Sequence, residues 1–181
     1  RQAQWAQFIK REEAVRIGLT PSAEGEYSQQ LGTPWGVLRS MFVSPLGVPC
    51  FKPPFGSMTA IDLTTGKTKW QVPMGSIEDA PVKGFVPGVH IPLGMPTMGG
   101  PLVTKGGLTF FHGSLDYYLR ALDSDTGQEL WRGRLPVGGQ GAPMTYVGAD
   151  GKQYVVVVAG GATRTGTNAN RGDYVIAYAL P

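Results

Sequence analysis

Cysteine occurs once, at position 50, and histidine twice, at positions 90 and 112. A single thiol excludes an intrachain disulfide framework. The stretch Val48-Pro49-Cys50-Phe51-Lys52-Pro53-Pro54 offers the thiol only Lys52 as a basic partner. Cys50 is therefore expected as a small buried side chain and not an activated nucleophile. Two well-separated histidines without a matching carboxylate make a weak metal site. No apolar run reaches the roughly 18 residues a membrane helix needs. Charged residues make up only 16% of the chain, for a net charge of +3. The bases are scattered (Lys67 and Lys69, Arg132 and Arg134, Arg164 and Arg171), which argues against a nucleic-acid track. The sequence starts at Arg1 with neither an initiating methionine nor a signal peptide, so it reads as a piece of something longer.

What is abundant is glycine, with 27 residues, and proline, with 15, against an ordinary hydrophobic fraction of 41%. Both fall between apolar runs, which predicts many short strands joined by tight turns. Residues 1–18 are the exception. Trp5, Phe8, Ile9, Val15 and Ile17 recur at roughly helical spacing, and Gly18 can serve as a stop. Residues 1–31 are thus expected as a helix and loop, and residues 32–181 as strands.

An internal repeat dominates the strand region. Residues 60–70 run Ala60-Ile61-Asp62-Leu63-Thr64-Thr65-Gly66-Lys67-Thr68-Lys69-Trp70. Residues 121–131 run Ala121-Leu122-Asp123-Ser124-Asp125-Thr126-Gly127-Gln128-Glu129-Leu130-Trp131. Both fit A-x-D-x-x-T-G-x-x-x-W without a gap. The pattern predicts a hairpin: one strand ends at Asp, Thr-Gly turns with glycine at positive φ, and the next strand ends in Trp. The Asp carboxylate is expected to accept turn N–H groups. Each indole is expected to dock on a neighbouring sheet, burying about 200 Å².

The second copy lies in a fuller unit. Strands at 101–104, 108–112, 117–122 and 129–132 give four in about 35 residues, the size of one propeller blade. Segments 142–147, 153–158 and 174–179 give three more strands, and 37–43, 58–62 and 68–72 part of an earlier blade. The expected fold is all-β: a partial β-propeller of about two and a half blades, with a short N-terminal helix. Open sheet edges at its two ends would pair with missing blades of the same protein or with another copy.

These motifs resemble the tryptophan-docking repeats of quinoprotein dehydrogenases, enzymes dependent on pyrroloquinoline quinone (PQQ). Gly94-Met95-Pro96-Thr97-Met98-Gly99-Gly100-Pro101, then Asp116-Tyr117-Tyr118-Leu119-Arg120-Ala121, resemble the same family. So do Leu135-Pro136-Val137-Gly138-Gly139-Gln140-Gly141-Ala142-Pro143-Met144-Thr145-Tyr146 and Ala159-Gly160-Gly161. Gly172 to Pro181 is similar to the C-terminus of the membrane-bound glucose and quinate branch. The resemblance implies an eight-bladed propeller that oxidises a sugar or polyol with PQQ and Ca²⁺ or Mg²⁺. It further implies the periplasmic side of the bacterial inner membrane, ubiquinone as electron acceptor, and a membrane anchor elsewhere. The base and ion ligands are expected in earlier blades, so no catalytic or metal-binding residue is assigned here.

What this chain would contribute is a wall of the cofactor pocket, at Met98 and Gly99 and at Gly161 and Ala162. Glycine there lets the backbone approach a flat ligand. Relatives often carry tryptophan or histidine at the position of Ala162, so the match is partial. Asp62 and Asp123 are expected in turn stabilisation and His112 in a structural hydrogen bond. His90 is expected at the surface, and Asp116 near one face of the propeller. The alternative is a non-enzymatic propeller scaffold. The stretches 94–101, 140–146 and 172–181 go beyond a bare repeat and favour the enzyme.

Overall fold

The computed structural model confines the helix expected over residues 1–18 to six residues and puts a strand before it. It describes residues 6–21, 27–39, 43–46, 48–80, 85–113, 115–161 and 171–179. Strand β1 (Ala6–Lys10) leads into helix α1 (Arg11–Arg16), followed by β2 (Tyr27–Gln29) and β3 (Trp35–Arg39). These strands form an antiparallel sheet in the order β1-β3-β2. The helical spacing of the apolar residues buries little: Phe8 is 75% exposed and Val15 70%. Ala6–Lys10 pairs with Trp35–Arg39 over its whole length, and that ladder overrides local periodicity. Tyr27 is buried on Gly36, where a Cβ would come within 2.4 Å of the ring. Cys50 is exposed, contrary to expectation. No member of a hydrophobic core cluster lies between residues 43 and 50, so that turn has no interior in which to bury it. The chain divides into two compact units, Arg1–Cys50 and Phe51–Pro181.

The second unit is a series of antiparallel sheets. Strands β4 (Ser57–Ile61) and β5 (Thr68–Pro73) form a hairpin. Strands β6 (Leu102–Val103), β7 (Leu108–His112), β8 (Tyr118–Asp123) and β9 (Glu129–Arg134) form a four-stranded meander. Strands β10 (Met144–Val147), β11 (Gln153–Gly161) and β12 (Arg171–Ala179) form a third sheet. The expected segment 37–43 does not extend the first hairpin: β3 pairs with β1 and β2 instead.

The two repeat copies have the same geometry. Ala60 pairs with Trp70 and Ala121 with Trp131, and a register shift follows each alanine. Oδ1 of Asp62 accepts the amides of Thr64 at 2.8 Å and Thr65 at 3.2 Å. Oδ1 of Asp123 accepts the amides of Asp125 at 2.9 Å and Thr126 at 2.8 Å. Hydrogen bonding by these turn groups holds both carboxyls below the usual carboxylate range. Gly66 and Gly127 sit at φ 68° and 76°, as the turn demands.

The apolar interior lies between sheets. Met74, Phe111 and Leu122, with Met58, Trp70 and Val72 beside them, fill the space between the β4–β5 hairpin and the meander. Leu119, Leu135, Val137, Val155, Val157 and Ala159 fill the space between the meander and the third sheet. Strands β7 and β8 therefore bury side chains on both faces, the position of a middle sheet. The Trp70 indole crosses the first of these spaces. Its Nε1 donates to the Ser124 carbonyl at 3.0 Å, and its ring lies over Gly127 in the next repeat's turn. Trp131 meets Tyr178 edge-to-face at 5.3 Å between ring centres and remains 41% exposed. The third sheet contains no A-x-D-x-x-T-G turn, so among the described residues Trp131 has no equivalent turn to receive its ring.

Candidate functional site

Three separate glycine-containing segments meet at the end of β7. A tight backbone crossing sets the path of the first. Gly56 and Gly94 lie so close that a Cβ on either would reach 2.1 Å from carbonyl oxygen. Met95 N–H donates to Met74 O at 2.7 Å, and Gly94 N–H to Gly75 O at 3.0 Å. From there the chain runs through Met98, which is 55% exposed, to Gly99. A Cβ on Gly99 would stand 3.0 Å from the Gly141 carbonyl oxygen and 3.3 Å from that of His112.

The second segment is the loop Gly138–Gly141 after β9. The amide of Gly139 donates to Gly113 O at 3.2 Å. A Cβ on Gly139 would come within 2.4 Å of the Val158 carbonyl oxygen and 2.5 Å of His112 Cε1. Only glycine fits there. The third segment is the end of β11. Gly161 follows a register shift, adopts φ 87°, pairs with Arg171 and donates its amide to Gly138 O at 2.8 Å.

Gly99 and Gly161 are thus gathered around one loop, with Met98 next to Gly99 in the chain. Gly99 lies against its Gly141 end and Gly161 against its Gly138 end. Ala162 lies outside the described residues. Sequence reasoning noted the loop only for its family resemblance. Its glycine density after Pro136 was the available signal that backbone, and not side chains, occupies this place.

His112 sits beneath the loop and is fully buried. Its Nε2 lies 2.6 Å from Gly141 O. A carbonyl can only accept, so Nε2 carries the proton. Burial pushes the imidazole below its ordinary pKa, against the opposing effect of the Gly141 hydrogen bond. Nδ1 is buried without a partner among the described residues, as is Oγ1 of Thr97. A depressed histidine pKa means that the unfolded chain binds the proton more tightly. The neutral form's stabilisation is therefore complete above about pH 6.5 and is lost as pH falls below it. Melting temperature should fall more steeply between pH 7.5 and 5 in the wild type than in His112→Gln. Parallel curves would contradict this.

Asp116, expected near the propeller face, is in a buried ion pair. Its two oxygens accept Arg120 Nη1 at 2.5 Å and Nη2 at 2.8 Å, and Oδ2 also accepts Ser76 N–H at 2.7 Å. Burial opposes the charge on Arg120, but Asp116 and Glu129 outweigh it and raise the guanidinium's pKa. Asp79 takes Arg134 in a fork at 2.6 and 2.8 Å, and that hydrogen bonding raises the Arg134 pKa further. Arg120, Arg132 and Arg134 all lie within 5.3 Å of the Tyr118 ring centre. His90 is near the surface, 3.1 Å from Arg132 Nη1 and 3.4 Å from Glu78. Sequence reasoning missed this network. Asp116 and Glu129 lie close to the arginines in the chain, but Ser76, Glu78 and Asp79 come from a loop some 40 to 55 residues away.

The family model described as "PQQ: Glucose/ethanol/alcohol dehydrogenase, beta-propeller domain" matches residues 1–155. The chain belongs to this quinoprotein family. Quinate/shikimate dehydrogenase (quinone) of Acinetobacter baylyi is 57% identical over 150 residues, 82% of this chain and 18% of that protein. Quinoprotein glucose dehydrogenase of Escherichia coli is 45% identical over 158 residues, 87% of this chain and 20% of that protein. The crystal structure of quinohemoprotein alcohol dehydrogenase from Comamonas testosteroni has the same fold at a TM-score of 0.53 and 22% identity. It covers 96% of this chain and 22% of that one. The quinoprotein chain therefore spans about a fifth of the length of these relatives, and its sheets are blades of a β-propeller. No helix among its described residues is long and apolar enough to cross a membrane.

Proposed function

We propose that these blades form a wall of the cofactor pocket in a PQQ-dependent dehydrogenase that oxidises a polyol of the quinate or glucose type. The observation that carries the reading is the meeting of Gly99 and Gly161 on the Gly138–Gly141 loop, with Met98 beside Gly99. A flat, rigid ring system needs a backbone surface that can be approached closely, and the glycines provide one.

Bound PQQ would supply the two-electron oxidation, with Ca²⁺ or Mg²⁺ as its partner ion. In this reading Met98, Gly99, Gly161 and Ala162 line the cofactor, and the catalytic base and ion ligands come from other blades. The neighbouring blades of the same protein, or another copy, would take up open sheet edges. The enzyme would work on the periplasmic side of the inner membrane and deliver electrons to ubiquinone. Higher identity to a quinate/shikimate enzyme than to a glucose enzyme supports a hydroxylated ring acid as the preferred substrate.

Dye reduction by the complete gene product, reconstituted with PQQ and Ca²⁺, tests this. Turnover is expected with quinate or shikimate, and less with glucose. The 181 residues alone should give none. Failure of the complete protein to turn over any of these substrates would refute the reading.

A further inference from the structure

We propose that His112 is a positioning residue whose imidazole latches the Gly138–Gly141 loop and so sets the shape of the cofactor-facing wall. This deepens the PQQ reading above and rests on it.

The loop is poor in side chains. Three of its four residues are glycine, and Gly99 across from it has no side chain either. Two main-chain bonds tie its first half, from Gly139 N–H to Gly113 O and from Gly161 N–H to Gly138 O. The far end, at Gly141, is held by the His112 Nε2–H bond at 2.6 Å. The same residue touches the wall at two further points. Its ring lies against Gly139, and its own carbonyl oxygen lies against Gly99. Its amide and carbonyl belong to β7, paired with Leu119 of β8, so the latch anchors the loop to the middle of the sheet stack.

Packing alone does not account for a histidine here. An apolar ring would fill the space without leaving Nδ1 buried and unpartnered, which costs free energy. What the imidazole supplies that an apolar ring cannot is the one bond its Nε2 makes. Oγ1 of Thr97, next to Met98, is buried and unpartnered in the same way. Both orphaned atoms belong to the elements that frame the proposed pocket. A loop held rigid before the ligand arrives does not have to be ordered on binding. A glycine-rich loop gains most from such a latch, because glycine has the largest conformational freedom to lose.

The test uses the complete gene product with His112→Phe, His112→Asn and His112→Gln. Two quantities are read: the PQQ dissociation constant in the presence of Ca²⁺, from fluorescence quenching, and amide exchange at Gly139 and Gly161 without PQQ. Phenylalanine keeps the volume and removes the donor. It should weaken PQQ binding by about tenfold or more and speed exchange by a similar factor. Glutamine places an amide donor near the Nε2 position and should restore both to within about threefold of wild type. Asparagine carries its donor near the Nδ1 position, cannot reach Gly141, and should behave like phenylalanine. If the phenylalanine variant does not fold, the asparagine–glutamine comparison carries the test. Equal affinity and exchange in asparagine and glutamine variants would overturn the latch. A wild-type protein that binds no PQQ would instead overturn the cofactor reading, and with it the role given to the wall.

Discussion

Replacing Asp116 with alanine should lower the unfolding free energy by about 3–5 kcal/mol, because it leaves a buried guanidinium without its counter-ion. Asp116 is fully buried and Arg120 is 3% exposed. Their two hydrogen bonds form a fork, and the Ser76 amide completes the site on the carboxylate. Alanine would remove all three acceptor contacts. The Arg120 charge would keep only Glu129, whose Oε2 lies 2.8 Å from Nε and whose side chain is 37% exposed. The consequence extends beyond one strand. Ser76 follows β5 and Asp116 precedes β8, so the ion pair couples the hairpin to the meander. Asp116→Asn keeps one acceptor and should cost less. Joint replacement, Asp116→Leu with Arg120→Met, should recover most of the loss, since well-packed apolar side chains often replace a buried pair at little cost. Urea unfolding of the three variants decides the matter. A loss below about 1 kcal/mol in Asp116→Ala, the range of exposed ion pairs, would show that the carboxylate is not acting as a buried partner.

The second large effect is expected at the docking indole. Trp70→Ala should cost about 3 kcal/mol, the lower end for a large aromatic because the ring is only half-buried. It removes the ring's cover over Gly127, its packing beside Phe111 and Leu122, and the Nε1–H bond to Ser124 O. Trp131→Ala should cost less, about 1–2 kcal/mol, since the ring is 41% exposed. The two effects would differ although the repeats are alike in sequence. Gly127→Ala tests the receptor side. Its φ of 76° is unfavourable for alanine, and the new Cβ would stand 2.7 Å from the Trp70 ring. Part of that penalty belongs to the pair. In a Trp70→Ala background, Gly127→Ala should cost less than in wild type, leaving only the backbone strain. Strict additivity of the two substitutions would mean that the ring does not sit on the glycine.

Much of this architecture was legible from the residues. The hairpins at 60–70 and 121–131 announce themselves because their chemistry is local. An Asp accepts amides two and three residues ahead, a glycine supplies positive φ, and strands alternate on either side. Segments 153–158 and 174–179 read correctly as strands for the same reason. Where partners are distant, local reading fails. Phe8, Ile9, Val15 and Ile17 look helical by spacing, yet Ala6–Lys10 pairs with a strand some 25 residues on, and periodicity carries no information about that partner. Cys50, read as a buried filler, is exposed because nothing around it builds a core.

The sequence by itself determined the repeated hairpins, their turn carboxylates, the middle sheet and the family. All of these follow from short-range turn chemistry and from motifs contiguous in the chain. Only the tertiary structure decided which glycines share a surface, that His112 lies beneath them, and that Asp116 takes the Ser76 amide. It also decided that, among the described residues, Trp70 docks on the next repeat's turn while Trp131 packs on Tyr178. Such pairings join segments tens of residues apart, and sheet packing alone brings them within the few ångströms over which hydrogen bonds and van der Waals contacts act.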